Sequence, residues 1–502
     1  MSNLLIEITT EDMPAQGQLD QGLKFLEIIA ENLELKATDF SIAMSPRHFC
    51  IFTKNISLQK KISIKGPKVS AEAPAITGFL NRYKVAKSAL IERDNCYFYE
   101  KLLDEKEGQI IMTRQIEKSF NDMVWHKSMI WGCEKTRWIR PIKSLMVFFD
   151  QELLPVTFGT IKTSNYTNVN KEKLYLSSAD YNLYLNKLKE KNIIVSHEER
   201  KRIILEGIDA LLRPLQLQTI ENQSLLEELV SLVENPQIYL GKIDKEFLQL
   251  PRELLLTSLA KNQKYLLTED LQGNIAPFFI IVANIKAEDA GKNLIAGHEK
   301  VLKARLKDAT FFITEDQKDY PKVKATSLDR IIFHEKLGTI SEKVVRLEKF
   351  VQKICQELKV NLAWLENAAS LCKNDLTTNL VREFPELQGF TGYYYSKLQG
   401  FDEELALAIR DHYKPMGVKD SLPETLGGAI LAMADKLDHL ISFFGVGIKP
   451  TATKDPYALR RAALGLLRIK NHFNLDLNFA KFVQEDLLNF LAERAKQAKL
   501  PL

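Results

Sequence analysis

The 502-residue sequence is poor in cysteine, and the arrangement of what there is excludes more than it offers. The five, Cys50, Cys96, Cys133, Cys355 and Cys372, are odd in number, widely spaced and form no CxxC pair. Neither a disulfide framework nor a zinc knuckle follows, and the pattern fits a reducing compartment. No apolar run is long enough to span a bilayer. The opening segment, MSNLLIEITTEDMPA, lacks a basic n-region and meets acidic residues by Glu7, so it does not read as a secretory signal. The expectation is a cytoplasmic protein with no membrane partner. Excess charge is scarce as well: 69 basic against 65 acidic side chains leave a net +4. That surplus neither demands nor excludes nucleic acid, because a phosphate-binding face can coexist with acidic faces elsewhere. There is no GxxxxGK[ST] phosphate loop, no HExxH and no GxSxG, and no Arg-rich ATP motif of a synthetase core. Internal repeats and low-complexity tracts are absent too.

What is present is ordinary globular material, 45% hydrophobic and 27% charged, enough for several cores. At about 150 residues per domain the length suggests roughly three. Periodicity predicts strands at 3–9, 50–56, 97–103 and 144–149 and a helix at 20–35, with 67–83 mixing loop and short helix. These make a first α+β unit at 1–160. A second mixed unit, 161–330, has a charged helix within 187–212 that should stop ahead of Pro214. It also has a helix at 225–233, a strand at 277–284 and a helix at 293–313. From 331 helices dominate: 341–358, 363–374, 402–412, 427–444 and 456–467, the last with Asp455 as N-cap and Pro456 at the first helical position. The fold class is therefore α+β and multidomain, with mixed N-terminal modules and an all-α domain at 331–475.

Four constellations could carry chemistry. Gly297 to Phe312, GHEKVLKARLKDATFF, is the densest basic helix, with Lys300, Lys303, Arg305 and Lys307 beside an apolar stripe. It is either a solvated polar face or a phosphate-tracking surface. Arg460, Arg461 and Arg468 lie on the helix of DPYALRRAALGLLRI. The adjacent pair points in different directions, toward RNA or toward an internal ion pair. Asp375, His412, Asp435 and Asp438 are spread over helices as in HD-type phosphohydrolases, where a divalent metal activates water. The adjacent His-Asp pair of that site is missing, however, and Lys373-Asn374-Asp375 stands in its place. A lysine there would repel a cation, so caps and ion pairs are the stronger reading and no metal is expected. Trp131, Trp138 and Arg140 suit either stacking on a base or partner, or core packing with an arginine cap.

Several segments resemble glycyl-tRNA synthetase β subunits, and they do so in family order. LLIEITTEDMPA (4–15) resembles their LLxEIGTEELP opening, MSPRHF (44–49) their TPRRL element, and KSMIWGCEKTRWIRPI (127–142) their KSMRWG…FxRPI. The Gly-Pro segment 66–79, VENPQIYLGKIDKEFLQLPRELLLTSLAKNQKYL (233–266), GHEKVLKARLKDATFF, FHEKLGT (333–339), LCKNDLTTNLVREFPELQGFTGYYY (371–395), HYKP (412–415), LAMADKLDHL (431–440) and PTATKDPYALRRAALGLLRI (450–469) continue it. Ile130, Lys143-Ser144, SNYTNVN (164–170), His298 and Lys300 depart from the family pattern. The resemblance implies an α₂β₂ glycine-tRNA ligase. Its separate α subunit would carry the class II core and bind ATP, Mg²⁺ and glycine. The β subunit, with no cofactor or catalytic residue of its own, would grip tRNA-Gly. It implies that 331–475 is HD-like with degenerate positions Asp375, His412 and Asp435. On the two basic helices, Lys300, Lys303, Arg305, Arg460 and Arg461 are the residues expected to contact RNA phosphate. Family members continue past this C-terminus into a helical anticodon-binding domain, of which 476–502 looks like a remnant. A metal-dependent HD phosphohydrolase and a free-standing RNA-binding scaffold are the alternatives.

Overall fold

A computed structural model describes residues 2–57, 61–132, 135–170, 172–320, 325–451 and 454–502. Cys133 and the motif residues Glu134, Ala452 and Thr453 lie outside the described residues. The other four cysteines are free thiols. Strands and helices mix in the first half and helices take over in the second, as an α+β chain requires. Two compact units emerge: residues 1–241 with 264–296, and 242–263 with 297–502.

The first unit is built on a five-stranded antiparallel sheet in the order Phe40–Met44, His48–Ile56, Ser2–Thr10, Ile142–Phe149, Glu152–Leu153. Ser2–Thr10 lies in the middle and is buried on both faces. Leu4, Ile6 and Ile8 pack with Phe25 and Ile29 of helix Gln18–Asn32 and with Met112, Ile116 and Phe120 of helix Glu105–Asp122. Leu5 points the other way, into a core made with Val169, Leu176, Tyr184, Leu188 and Val195. That core continues well past residue 160, where the sequence suggested a boundary. Covering a sheet on both faces removes the alternation that would mark its strands, because both residue sets become apolar. Trp138 is 1% exposed and sits edge-on to Phe25 and Trp125, at centroid distances of 5.2 and 4.9 Å. It is a core residue, with Trp131 packed against the same cluster and the Arg140 Nε–H donating to the Asp12 carbonyl at 3.0 Å.

Beyond two short two-stranded ribbons, Thr157–Phe158 with Ile161–Lys162 and Tyr166–Val169 with Glu172–Tyr175, this unit also holds a three-stranded and a four-stranded sheet. Lys61–Lys68, Cys96–Leu102 and Leu90–Arg93 form one, and helix Ala73–Tyr83 beside it buries none of its residues. Leu217–Thr219, Leu266–Asp270, Ile275–Ala283 and Gln237–Lys242 form the other. The charged helix EERKRIILEGIDALL, expected within 187–212 and ahead of Pro214, is His197–Leu212, capped by Ser196 through the Glu199 N–H at 3.2 Å, and a separate helix, Tyr181–Glu190, precedes it.

The second unit is centred on Leu426–Gly445, whose run Ala429–Ala434 is buried all round. A helix apolar on every side belongs in the middle of a bundle. Ile340–Leu358, Trp364–Leu371, Glu403–Asp411 and Leu459–His472 surround it, and Leu487, Leu491 and Ala495 of Glu485–Ala498 enter the same core. Residues 476–502, expected as the start of a further domain, thus pack into the all-α core. The helix expected from Pro456 begins at Leu459 instead. Ala458 is left-handed at φ 55°, and Asp455 caps from outside the helix, taking the Leu459 and Arg460 N–H groups at 2.9 and 3.0 Å.

Candidate functional site

The helical unit does bring the HD-like positions together. Asp375 lies in the turn Asn374–Thr377, His412 follows Glu403–Asp411, and Asp435 and Asp438 are on Leu426–Gly445. What fills the space between them is ammonium. The Lys373 Nζ is 3.0 Å from the Asp435 Oδ1 and 3.8 Å from the centre of the Tyr413 ring. The Lys343 Nζ lies 3.1 Å from that same oxygen and 2.8 Å from the Asp438 Oδ2, which Arg346 also pairs. Burial would raise the Asp435 carboxyl, but Lys343 and Lys373 hold it well below the usual carboxylate range. Burial and then Lys373 keep His412 well below its ordinary value, so the ring is neutral, with its Nδ1 2.6 Å from the Ile409 carbonyl. Asp375 is pushed up to about 6 by burial against the Gly389 N–H and Lys373. A divalent cation would meet two lysines already neutralising Asp435. Among the described residues no group of three or more His, Cys, Asp or Glu side chains is placed to hold one.

The five expected RNA contacts divide into used and unused cations. Helix Lys292–Asp319 buries Leu302, Leu306, Ala309, Ile313 and Asp316 and turns Lys300, Lys303 and Lys307 to solvent. Lys300 and Lys307 make no ion pair among the described residues. Lys303 pairs with Asp244 at 2.5 Å, both about half exposed. Arg305 is spent inward: its Nη2 is 3.5 Å from the Glu383 Oε1 and its guanidinium lies 5.1 Å from the centre of the Phe384 ring. Arg460 donates to the Thr451 carbonyl, whereas Arg461 is exposed without an ion pair among the described residues. Arg468 holds the loop before the central helix through the Gly417 and Asp420 carbonyls at 3.0 and 2.9 Å. Periodicity could place all of these on helices. It could not show which arginines find partners tens of residues away.

In the first unit three family-like segments, 4–15, 44–49 and 233–266, meet the departing segment 164–170 at a buried polar seam that no single motif announced. Glu7, fully buried, accepts from the Thr9 and Thr167 hydroxyls at 2.9 and 2.7 Å and lies 3.2 Å from the His48 Nδ1. Burial would raise Glu234, but His48, Arg47 and Ser45 bring it below its ordinary value. The Ser45 hydroxyl donates to it at 2.7 Å and the Arg47 Nε–H at 3.0 Å, while Arg47 also reaches Asn170 at 3.2 Å. Arg200 is buried and donates to the carbonyls of Ile194, Val195, Val230 and Met44 at 2.7 to 3.0 Å. Its burial brings it down to about 10. Segments 4–15, 44–49, 164–170 and 233–266 are thereby fastened to one another. Above the seam a pocket of about 540 Å³ is lined by Thr9, Thr10, Arg47, Lys143, Asn168 and Asn170.

A family model described as "Glycyl-tRNA synthetase beta subunit" matches residues 4–500. The chain belongs to that family. The glycine–tRNA ligase beta subunit of Rickettsia africae is 40% identical over 503 residues, covering 98% of this chain and 74% of that protein. The subunit of Rickettsia conorii is 39% identical over 503 residues, with the same coverage of both. That of Rickettsia felis is 38% identical over 525 residues, covering 99% and 78%. The chain is thus a β-subunit relative of a class of aminoacyl-tRNA synthetase. The phosphohydrolase alternative gives way on the Lys373 and Lys343 geometry.

Proposed function

We propose that the chain is the β subunit of a glycine-tRNA ligase, binding tRNA-Gly and presenting its acceptor end to a separate α subunit. The family match over 4–500 carries this reading, supported by relatives named as glycine–tRNA ligase beta subunits. Carboxyl activation with ATP and Mg²⁺, and transfer to the terminal ribose, belong in this reading to the α subunit, in an α₂β₂ assembly in the cytoplasm. Fixing a bulky substrate in a reactive geometry can lower a barrier substantially with no reacting group on the positioning chain. Lys300, Lys303, Arg305, Arg460 and Arg461 are the candidate phosphate contacts. Each changed to Ala should weaken tRNA-Gly binding and flatten its salt dependence, with the larger effects at the exposed Lys300, Lys303 and Arg461. Unchanged affinity and salt slope in all five, measured by filter binding, would remove these residues from the interface.

A further inference from the structure

Helix Lys292–Asp319 carries one solvent face unlike the rest of its surface. Lys300, Lys303, Lys307, Phe311, Thr314 and Lys318 follow one another at spacings of three or four, so they form a single line along the helix. All six are exposed, and Phe311 is 60% exposed. The acids of the same helix are placed elsewhere. Asp308, Glu315 and Asp319 point to one side by helical spacing, Glu299 takes the Lys242 N–H at 2.8 Å, and Asp316 is buried. From Lys300 to Lys318 the line runs roughly 27 Å at 1.5 Å per residue. Its two ion pairs, Lys303 to Asp244 and Lys318 to Glu315, both at 2.5 Å, join half-exposed groups and exchange readily for other anions. The helix beneath is held firmly. The Asp316 carboxylate accepts from the Asn379 and Leu380 N–H groups at 2.9 and 3.0 Å and from the Tyr395 hydroxyl at 3.1 Å.

We infer that this face is a single-strand RNA docking surface on which Phe311 stacks an unpaired base while Lys300, Lys303, Lys307 and Lys318 take the flanking phosphates. A phenyl ring left in water on a rigid support, one turn past Lys307 and flanked on one side by Asp308 and Glu315, with Lys300, Lys303 and Lys318 further along the same line, supplies the two parts that single-strand binders use, an aromatic platform and a basic track. The line carries no carboxylate, so its charge complements a phosphate backbone. Binding by this face rests on the proposed role in gripping tRNA. It goes further by naming the contacted element as an unpaired segment of the RNA.

The test is binding of tRNA-Gly by the purified 502-residue chain across a salt series. Phe311→Ala should weaken binding about tenfold with the salt slope unchanged, since a phenyl ring releases no counterions, and Phe311→Trp should restore it. Lys300→Ala and Lys307→Ala should each weaken binding and lower the slope by about one. If the wild type binds tRNA while all three weakening variants bind equally well, the face is solvated surface and the inference falls, leaving the proposed function standing. If Phe311→Ala keeps tRNA affinity but loses the α subunit in co-purification, the face is a protein interface and the inference falls as well. A wild-type chain with no tRNA affinity would overturn the proposed function itself.

Discussion

Lys373 sets what the helical unit does with its buried carboxylates. Its ammonium, with that of Lys343, turns Asp435 from a candidate metal ligand into the centre of an ion-pair cluster. Removing one partner of such a cluster leaves an uncompensated buried charge, which costs far more than the pair itself contributes. His412 supplies a pH test of this arrangement. Its folded value lies well below the ordinary one, so below about pH 6.5 the unfolded chain binds a proton that the folded chain does not. Stability contributed by the neutral ring is therefore intact above that pH and is lost as pH falls through the ordinary histidine range. Asp375, pushed up to about 6, has the opposite slope between about pH 4 and 6. The difference between wild type and His412→Asn isolates the histidine. In urea titrations the variant should gain on the wild type by up to about 1.4 kcal/mol per pH unit below pH 6. A pH-independent difference would show that His412 titrates normally. The lysine at 373 could be read from sequence as hostile to a metal, but its pairing with Asp435 and its place over Tyr413 needed the fold.

Among the elements, helix Ile340–Leu358 shows how much a local motif can settle. Thr339 and Glu342 form a capping box, each side chain serving the other's backbone N–H, at 3.3 Å into Thr339 and 2.7 Å into Glu342. Gly338, just before it in FHEKLGT, has φ 81°, and a Cβ there would fall 1.8 Å from the Glu342 Oε2. The glycine is what lets the capping carboxylate fold back. Thr339→Ala should lower the stability of the helical unit by about 1 kcal/mol, read from its transition in urea. No loss would mean that the box contributes nothing in solution. Strongly periodic helices such as this one were legible to within a residue or two. Glu105–Asp122, Phe390–Leu398 and the strands Phe40–Met44 and Lys61–Lys68 were not. The first helix is largely polar, the second is short and crowded with tyrosines, and the strands are short or exposed. None carries a long enough apolar period to separate it from loop.

For the molecule as a whole, long-range contacts decide what periodicity cannot. The core beneath the first sheet draws in residues up to Val195, and the last helix packs with the central one, so the divisions expected at 160 and 475 cut through shared cores. The candidate interface shows the same limit. Lys300, Lys303 and Arg305 were all legible as a basic helix, but Arg305 turns out to be committed to Glu383 and Phe384. Phe311, which the apolar period of that helix does not separate from Phe312, is the side chain left in water. Family order along the chain was the strongest signal of all, and it is the feature the comparison over 4–500 bears out. The most direct measurement is glycylation of tRNA-Gly by the matching α subunit, with and without this chain. The account predicts that charging needs the chain and appears when it is added. Charging that proceeds equally well without it would contradict the role in positioning tRNA.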